Sequence, residues 1–196
     1  FEAQWRERLL NHGGIKRIRA KSLCLSEIMT ILIAFHQKHY RNFKQFYLNS
    51  FKQHWCSAFP GLPSSQRFVE WIPSTIIPLC VYLKHCFGEC TGISFIDATS
   101  LKVCHNRRIS NHKVFDGLAA RGKTSVDWFF GFKLHIVVNE RGQILNVTLT
   151  PGNVDDRVPV RDLLSELFGK VFADRGYVSK KLASQLLEEF DIQFFA

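Results

Sequence analysis

Two aspartates, Asp97 and Asp174, each follow a short hydrophobic run of strand-forming residues. The two runs cover 93–96 and 170–173. Acidic residues are poor strand formers and an unpaired buried carboxylate is costly, so an aspartate at both positions needs a chemical reason. If the two strands are neighbours, both carboxylates project from one edge of a sheet. They then repel each other unless a cation lies between them.

Magnesium suits such a pair of carboxylates. Mg²⁺ prefers oxygen ligands and keeps several waters, which leaves room for a substrate phosphate. Two ions about 3.5–4 Å apart can activate a water and stabilise the leaving oxygen in phosphodiester cleavage. The sequence therefore predicts a site for two Mg²⁺ ions on Asp97 and Asp174. The plainer alternative is that Asp97 caps a turn through Thr99 and that Asp174 pairs with Arg175.

The elements that must position these acids are indicated by a change of pattern at Gly92. Beyond it, the turn residues 139–142 join two strand-forming runs and predict an antiparallel hairpin. The predicted order is strand, hairpin, helix, strand, helix, strand, which is an α/β fold. The strands are expected at 93–99, 128–138, 143–150, 170–174 and 192–195, and the helices at 155–168 and after a Ser179 cap.

Residues 1–90 have helical spacing instead, and we expect an all-helical domain there, followed by the α/β domain at 91–196. Four helices are expected: one through 25–36 capped by Ser22 or Ser26, one through 43–55, one through 68–72 capped by Ser64 or Ser65, and one through 76–87.

Composition and charge exclude several classes of protein. Of the 196 residues 46% are hydrophobic and 22% charged, so we expect a packed core rather than disorder. The net charge of +9 suits a polyanionic partner such as nucleic acid. The longest apolar runs, such as 28–35, are too short to cross a membrane, and the basic segment 1–20 lacks the apolar region of a secretory signal. Six scattered cysteines indicate reduced thiols in a cytoplasmic protein.

A second concentration of positive charge follows the first acid. Seven basic residues stand against only Asp116 and Asp127 in this stretch. We expect it to contact DNA phosphates, with Arg107 and Arg108 as the leading residues; the alternative is a flexible, solvated loop. The seven are Lys102, Arg107, Arg108, Lys113, Arg121, Lys123 and Lys133.

Three further features have structural and functional interpretations. Asp155 and Asp156 are expected to cap the helix that follows them, with a supporting role near the metal edge as the alternative. His135 is interpreted as a structural histidine rather than one that faces the site. The spacings within the set Cys80, His85, Cys86 and Cys90 do not match a zinc knuckle, and Cys86 and Cys90 are expected to be buried thiols on one helix face.

Four blocks of the sequence, taken in order, resemble the DDE-type insertion-sequence transposases, and among them the IS982 family. The first holds Asp97 and the last is Ala173-Asp174-Arg175-Gly176-Tyr177. The N-terminal part also resembles this family around 59–64, so the resemblance covers nearly the whole chain. The blocks are 95–101, 128–135, 149–156 and 172–177.

The resemblance implies an RNase H-like mixed sheet and metal-dependent DNA cleavage and strand transfer during transposition. Asp97 and Asp174 match the first two acids of a catalytic triad that binds two magnesium ions, and the implied partners are DNA and further copies of the chain. The third acid of the family, a Glu, belongs to a helix beyond the last strand. Glu188, Glu189 and Asp191 come too early for that role.

With two acids of three, the sequence predicts a chain that is impaired in catalysis. Its opening on Phe1, with Met29 as the single methionine, fits a processed product or a piece of a longer reading frame. The rival interpretation is a non-catalytic DNA-binding remnant, and a weaker third is a zinc-dependent nucleic-acid-binding module.

Overall fold

The computed structural model describes residues 21–124 and 127–196, together with Trp5 and Glu7. The rest of the basic segment 1–20 lies outside the described residues. The chain divides into two compact units, Phe1–His85 and Cys86–Ala196. Among the helices of the described residues, none is both long and apolar enough to span a membrane.

The first unit is helical, as its spacing predicts. Its first helix begins after Cys24, whose N–H donates to Glu27 Oε2 at 2.7 Å, so the expectation of a serine cap is wrong there. Ser64 does cap a later helix by accepting the N–H of Arg67. The helices are α1 (Leu25–Gln37), α2 (Phe43–Gln45), a π-helical stretch (Phe46–Phe51), α3 (Lys52–His54), α4 (Ser65–Trp71), a 3₁₀ turn (Ile72–Thr75) and α5 (Ile76–His85).

Aromatic side chains form the core of this helical unit. The π-helical stretch buries Phe46, Tyr47 and Phe51, and the Phe68 ring lies 5.3 Å from that of Tyr47. The Tyr47 hydroxyl donates to the carbonyl of Pro63 at 2.9 Å, and burial raises the pKa of Tyr47 to about 12. The buried aromatic rings pack these short helices together, and the buried Tyr47 hydroxyl has a hydrogen-bond partner.

The second unit is built on one mixed sheet. In the described residues its strand order is β2-β3-β1-β5-β6, with β4 also paired to β3. The pairs of β3 with β1, β2 and β4 are antiparallel, whereas β5 is parallel to both β1 and β6. The predicted hairpin is confirmed as β3 and β4. The strands are β1 (Ile93–Cys104), β2 (Ala120–Lys123), β3 (Trp128–Asn139), β4 (Ile144–Pro151), β5 (Gly169–Phe172) and β6 (Ile192–Phe195).

Several boundaries differ from the sequence prediction. Strand β5 ends at Phe172, so Asp174 lies beyond the strand expected to include it, and the helix expected through 43–55 is divided into α2, the π-helical stretch and α3. Strand β1 runs seven residues past Asp97, so this acid lies within a strand rather than at its end. The segment expected as a loop contains a 3₁₀ helix, Asn106–Asn111, and β2. The helix predicted at 155–168 is only α6 (Val160–Leu164), because Asp155 accepts the N–H of Arg157 and holds a turn before it.

Helices α6 and α7 (Lys180–Phe190) pack on one face of the sheet. Ser179 caps α7 as predicted, accepting the N–H of Leu182. The core between sheet and helices includes Ile96, Val137 and Leu186, which are at most 3% exposed. Since neighbouring residues of a strand point to opposite faces, Asp97 lies on the face away from this core.

Two glycines set the register between β1 and β5. The Lys170 N–H donates to the Gly92 carbonyl at 2.8 Å, immediately before the parallel pairing begins. Gly92 and Gly169 have φ values of +92° and +89°. A Cβ on Gly169 would overlap the carbonyl oxygen of Gly92 and lie 2.8 Å from its Cα. Only glycine therefore allows this close approach.

We expect Gly169→Ala to lower the free energy of unfolding of the second unit by about 3 kcal/mol, because left-handed strain adds to a backbone overlap. Gly117→Ala is the matched control: its φ is +73° but a Cβ there meets nothing within 4 Å, so strain alone should cost about 1 kcal/mol. Urea titration followed by circular dichroism measures both. Equal losses in the two variants would contradict the register argument.

Candidate active site

The pairing of β1 with β5 brings Asp97 and Asp174 to the same end of that pairing. It ends with Phe95 opposite Phe172, the last residue of β5, and Asp97 and Asp174 each follow that pair by two residues. Each aspartate also lies five residues after its register glycine, Gly92 or Gly169. Adjacent strands are about 4.8 Å apart, so both acids lie near the C-terminal end of β5, Asp97 on the neighbouring strand and Asp174 just beyond β5 itself. The two strands are neighbours, which is the arrangement that the acid pair required.

Both carboxylates border an exposed aromatic surface. Phe95, Phe172 and Phe195 lie on three adjacent strands with ring centroids 5.6 and 5.1 Å apart, and each ring is more than a third exposed. Asp97 follows Phe95 by two residues, and Asp174 follows Phe172 by two. Asp97 and Asp174 are themselves exposed. The acids are therefore open to a substrate from this side.

The hydrogen bonds of the two acids are local. Asp97 Oδ1 accepts the N–H of Ala98 at 2.7 Å, within the strand rather than in a turn through Thr99. Asp174 Oδ1 accepts the N–H of Gly176 at 2.9 Å and caps the 3₁₀ turn Arg175–Tyr177. In residues 21–124 and 127–196, neither acid has an ion-pair partner, so the pairing of Asp174 with Arg175 does not form. The negative charge of the edge is uncompensated.

Tyr177 is a buried phenol in the electrostatic field of both acids. It is 1% exposed, and its hydroxyl has no hydrogen-bond partner in the described structure. Burial raises the pKa of Tyr177, and the charges of Asp156, Asp97 and Asp174 raise it further. One phenol therefore lies within electrostatic reach of three carboxylates and stays protonated. The sequence block 173–177 that carries the family resemblance includes Tyr177, but the sequence analysis assigned no role to this residue.

Asp156 reaches this region through an ion pair with Lys133. The Lys133 ammonium donates to Asp156 Oδ1 at 2.8 Å and to the carbonyl of Val154 at 2.9 Å, and its side chain is 14% exposed. Lys133 thus differs from the other predicted DNA contacts, because its charge is already compensated. Neither Asp155 nor Asp156 caps α6, whose N-cap is Pro159, so that expectation is wrong.

His135 lies on the core side of the sheet. It is fully buried, and its Nε2 lies 2.9 Å from Thr150 Oγ1. Burial lowers the pKa of His135, which outweighs the raising effect of Asp156, and Lys133 lowers it as well. In the pairing of β1 with β3, Ala98 lies opposite His135. The Ala98 side chain points to the face of the sheet away from Asp97, and His135 shares that face. His135 therefore belongs to the support beneath the site.

The basic segment occupies the opposite end of β1 from its pairing with β5. Lys102 lies five residues beyond Asp97, about 17 Å along the strand, rather than immediately beside the acids. Apart from Lys133, the six basic residues of this segment that are predicted to contact DNA are exposed. None of the six has an ion-pair partner among the described residues. The six are Lys102 in β1, Arg107 and Arg108 in the 3₁₀ helix, Lys113, and Arg121 and Lys123 in β2.

The cysteine set forms no metal site. Helix α5 ends at His85, so Cys86 and Cys90 do not share a helix face. Cys86 is exposed and Cys90 half-buried, which corrects the expectation of two buried thiols. Within the described residues, no three side chains of His, Cys, Asp or Glu are grouped closely enough to hold a metal ion. Asp97 and Asp174 therefore have no third side chain of these types grouped with them in the described structure.

The family follows from the region that carries both acids. A family model described as the transposase DDE domain matches residues 87–196, which is more than half of the chain. The chain belongs to the DDE transposase family. None of the curated proteins matches the sequence. The matched region contains the acidic edge, all six strands of the sheet and the basic segment of the DDE domain.

The buried His135 makes the stability of the DDE domain depend on pH. Its pKa is lowered on folding, so the stabilisation is complete above the ordinary value of 6.5 and is lost as pH falls below it. At pH 5.5 this loss is at most about 1.4 kcal/mol. We expect His135→Gln to remove that part of the pH dependence, measured by urea unfolding at pH 7.5 and 5.5. The exposed His105, changed to Gln, is the control; an unaltered slope in His135→Gln would contradict the assignment.

Proposed function

We propose that this DDE transposase domain serves metal-dependent cleavage and strand transfer of DNA in the transposition of an insertion sequence, of the kind found in the IS982 family. The observation that carries the proposal is the pair Asp97 and Asp174. One exposed carboxylate lies within β1 and the other lies two residues beyond the neighbouring parallel strand β5, and neither has a basic ion-pair partner in the described structure. Uncompensated acids held together in this way are typical of a site for divalent cations.

We further propose that the DDE domain is RNase H-like. Supporting this is a run of three strands, β4-β3-β1, joined antiparallel, and two further strands, β5 and β6, added in parallel beside β1. Helices α6 and α7 pack on the face opposite Asp97. In this arrangement β1 is central and carries the first acid.

The donors at the edge fit magnesium. Asp97 and Asp174 supply carboxylate oxygens only, and one oxygen of each accepts a backbone N–H, which leaves the other for a metal ion. The chemistry supplied by bound Mg²⁺ is activation of water and stabilisation of the leaving oxygen. The role of the protein would be to keep the two carboxylates near each other through the β1–β5 pairing.

The chain as given is proposed to be impaired in cleavage. Two carboxylates fix less of a metal geometry than three, and the described residues bring no third acid to the edge. On α7, Glu189 is engaged by Arg161 at 2.6 Å. The alternative function, a non-catalytic DNA-binding remnant, rests on the same incomplete set of ligands.

DNA contact is proposed for the six exposed basic residues of the DDE domain, with Arg107 and Arg108 foremost. Guanidinium groups match phosphate oxygens in geometry and charge. For the helical unit we propose DNA binding and assembly with further copies of the chain. All six cysteines are free thiols, which supports our proposal of a cytoplasmic protein.

The metal site is tested by titrating the protein with Mn²⁺, an electron-paramagnetic-resonance probe for Mg²⁺. We expect weak binding to the wild-type chain, and an affinity lowered at least about tenfold by Asp97→Asn or Asp174→Asn, because each change removes a charged oxygen ligand. Asp116→Asn, at an exposed acid outside the edge, is the matched control.

The same samples decide whether the chain cleaves DNA. With Mg²⁺ or Mn²⁺ and a duplex carrying terminal repeats of the element, we expect little or no nicking. Nicking that disappears in Asp97→Asn would overturn the proposed impairment and leave the metal site standing. Binding of Mn²⁺ that is unchanged in both aspartate variants would overturn the metal site itself.

DNA contact is tested through the salt dependence of binding. Replacing Arg107 and Arg108 with alanine should weaken binding to duplex DNA. It should also lower the slope of log affinity against log salt by about 1.8, or about 0.9 for each lost phosphate contact. The control is the double change Arg141→Ala and Arg157→Ala, because both of these guanidiniums already have carboxylate partners. An unchanged slope in the Arg107/Arg108 variant would argue against phosphate contact.

A further inference from the structure

We propose that the DDE domain has a separate pocket for one unpaired DNA nucleotide, whose base stacks on Trp128. The proposal rests on the proposed DNA-processing function and adds a site to it. A cavity of about 300 Å³ opens between the 3₁₀ helix and the starts of β2 and β3. It is lined by Asn106, Arg107, Ile109, Arg121, Trp128 and Phe129.

Trp128 presents an unusually exposed aromatic surface at this cavity. Its side chain is 56% exposed, although it begins a strand whose next residue, Phe129, is 1% exposed. The Trp128 backbone is fixed on both sides: its N–H donates to Asp127 Oδ1 at 2.7 Å, and its carbonyl accepts from Asn106 Nδ2 at 2.8 Å. With its backbone fixed, the exposed indole offers a flat stacking surface for a base.

Positive charge surrounds the indole. Lys123 Nζ lies 5.7 Å from the centroid of the Trp128 ring. Arg107 and Arg121 line the cavity, and neither guanidinium has an ion-pair partner in residues 21–124 and 127–196. Like charges around one small cavity repel each other, and a phosphate between them would relieve that repulsion. The cavity thus combines a flat apolar surface with an anion site, which are the two parts of a nucleotide.

The size and lining of the cavity favour an unpaired base over a duplex. Its volume is at the lower end of the range of about 300–1,000 Å³ for small-molecule sites, which suits one base and its sugar. Phe129 and Ile109 add apolar surface. A base within a duplex is stacked on both sides and paired at its edge, so only an unpaired base can present a free face to Trp128.

The pocket is distant from the acidic edge. On β3 the residue opposite Asp97 is Ile136, and Trp128 lies eight residues away along the same strand. That separation is about 26 Å. DNA advances about 3.4 Å for each step along one strand, so the pocket lies roughly eight steps from the acids. The captured nucleotide is therefore one that flanks the cleavage position and holds the DNA in place.

The experiment compares two duplexes that differ only in one unpaired thymine, at one fixed salt concentration. Wild-type protein should bind the duplex with the unpaired thymine about tenfold more tightly, since stacking of a single base contributes about that factor. Trp128→Ala should remove this preference but keep the affinity for the fully paired duplex. Trp128→Phe, which retains an aromatic face, should restore most of the preference. Trp55→Ala is the control, at a tryptophan that is 38% exposed in the helical unit.

A second measurement locates the base directly. With 5-iodouracil as the unpaired base, light-induced cross-linking should label the peptide that contains Trp128, and mass spectrometry identifies it. A cross-link only to other parts of the chain, or a preference that survives in Trp128→Ala, would overturn the pocket. Tight but equal binding of both duplexes would overturn it as well and leave DNA binding intact. Failure to bind either duplex would contradict the proposed DNA function together with the pocket.

Discussion

The parallel pairing of β1 with β5 is the constraint on which the positions of the two acids in the DDE domain depend. Asp97 and Asp174 each follow the last bridged pair, Phe95 and Phe172, by two residues, and the close approach of Gly169 to Gly92 lies five residues before each acid. Two like charges about one strand spacing apart are unfavourable in the absence of a cation. On the proposed function, the hydrophobic core supplies the stability that a pair of like charges lacks until a cation binds.

The charges beneath the sheet keep the acidic edge negative. The Lys133 ammonium is satisfied by Asp156 and the Val154 carbonyl, so it is not available to neutralise Asp97 or Asp174. Burial keeps His135 neutral through its lowered pKa, and burial with the surrounding carboxylates keeps the Tyr177 phenol protonated through its raised pKa. Lys133, His135 and Tyr177 are thus each held in a state that adds no compensating positive charge to Asp97 or Asp174.

Local signals in the sequence were enough for the parts of the fold whose causes are local. The hairpin of β3 and β4 follows from a turn and two runs of strand formers, and the caps Ser64 and Ser179 follow from residue type. The extent of β1 past Asp97 was missed because it depends on pairing with β3, a partner some 35 residues away in sequence. The Lys133–Asp156 pair and the exposed indole of Trp128 were missed for the same reason: both depend on contacts that no short-range pattern encodes.

The length of β1 sets the distance between Asp97 and the basic segment of the DDE domain. Because β1 pairs with β3 for most of its twelve residues, it forms a stiff connection between the acidic edge and the basic end of the sheet. A flexible loop bearing the same arginines would let DNA shift relative to the acids, and the phosphate nearest the metal site would vary. On the proposed function, with the basic residues about 17 Å and more from Asp97, DNA bound at one end of β1 would have a defined register at the other. Binding energy from distant phosphates would then be converted into positioning of the scissile one, which is how remote contacts contribute to a reaction at a single bond.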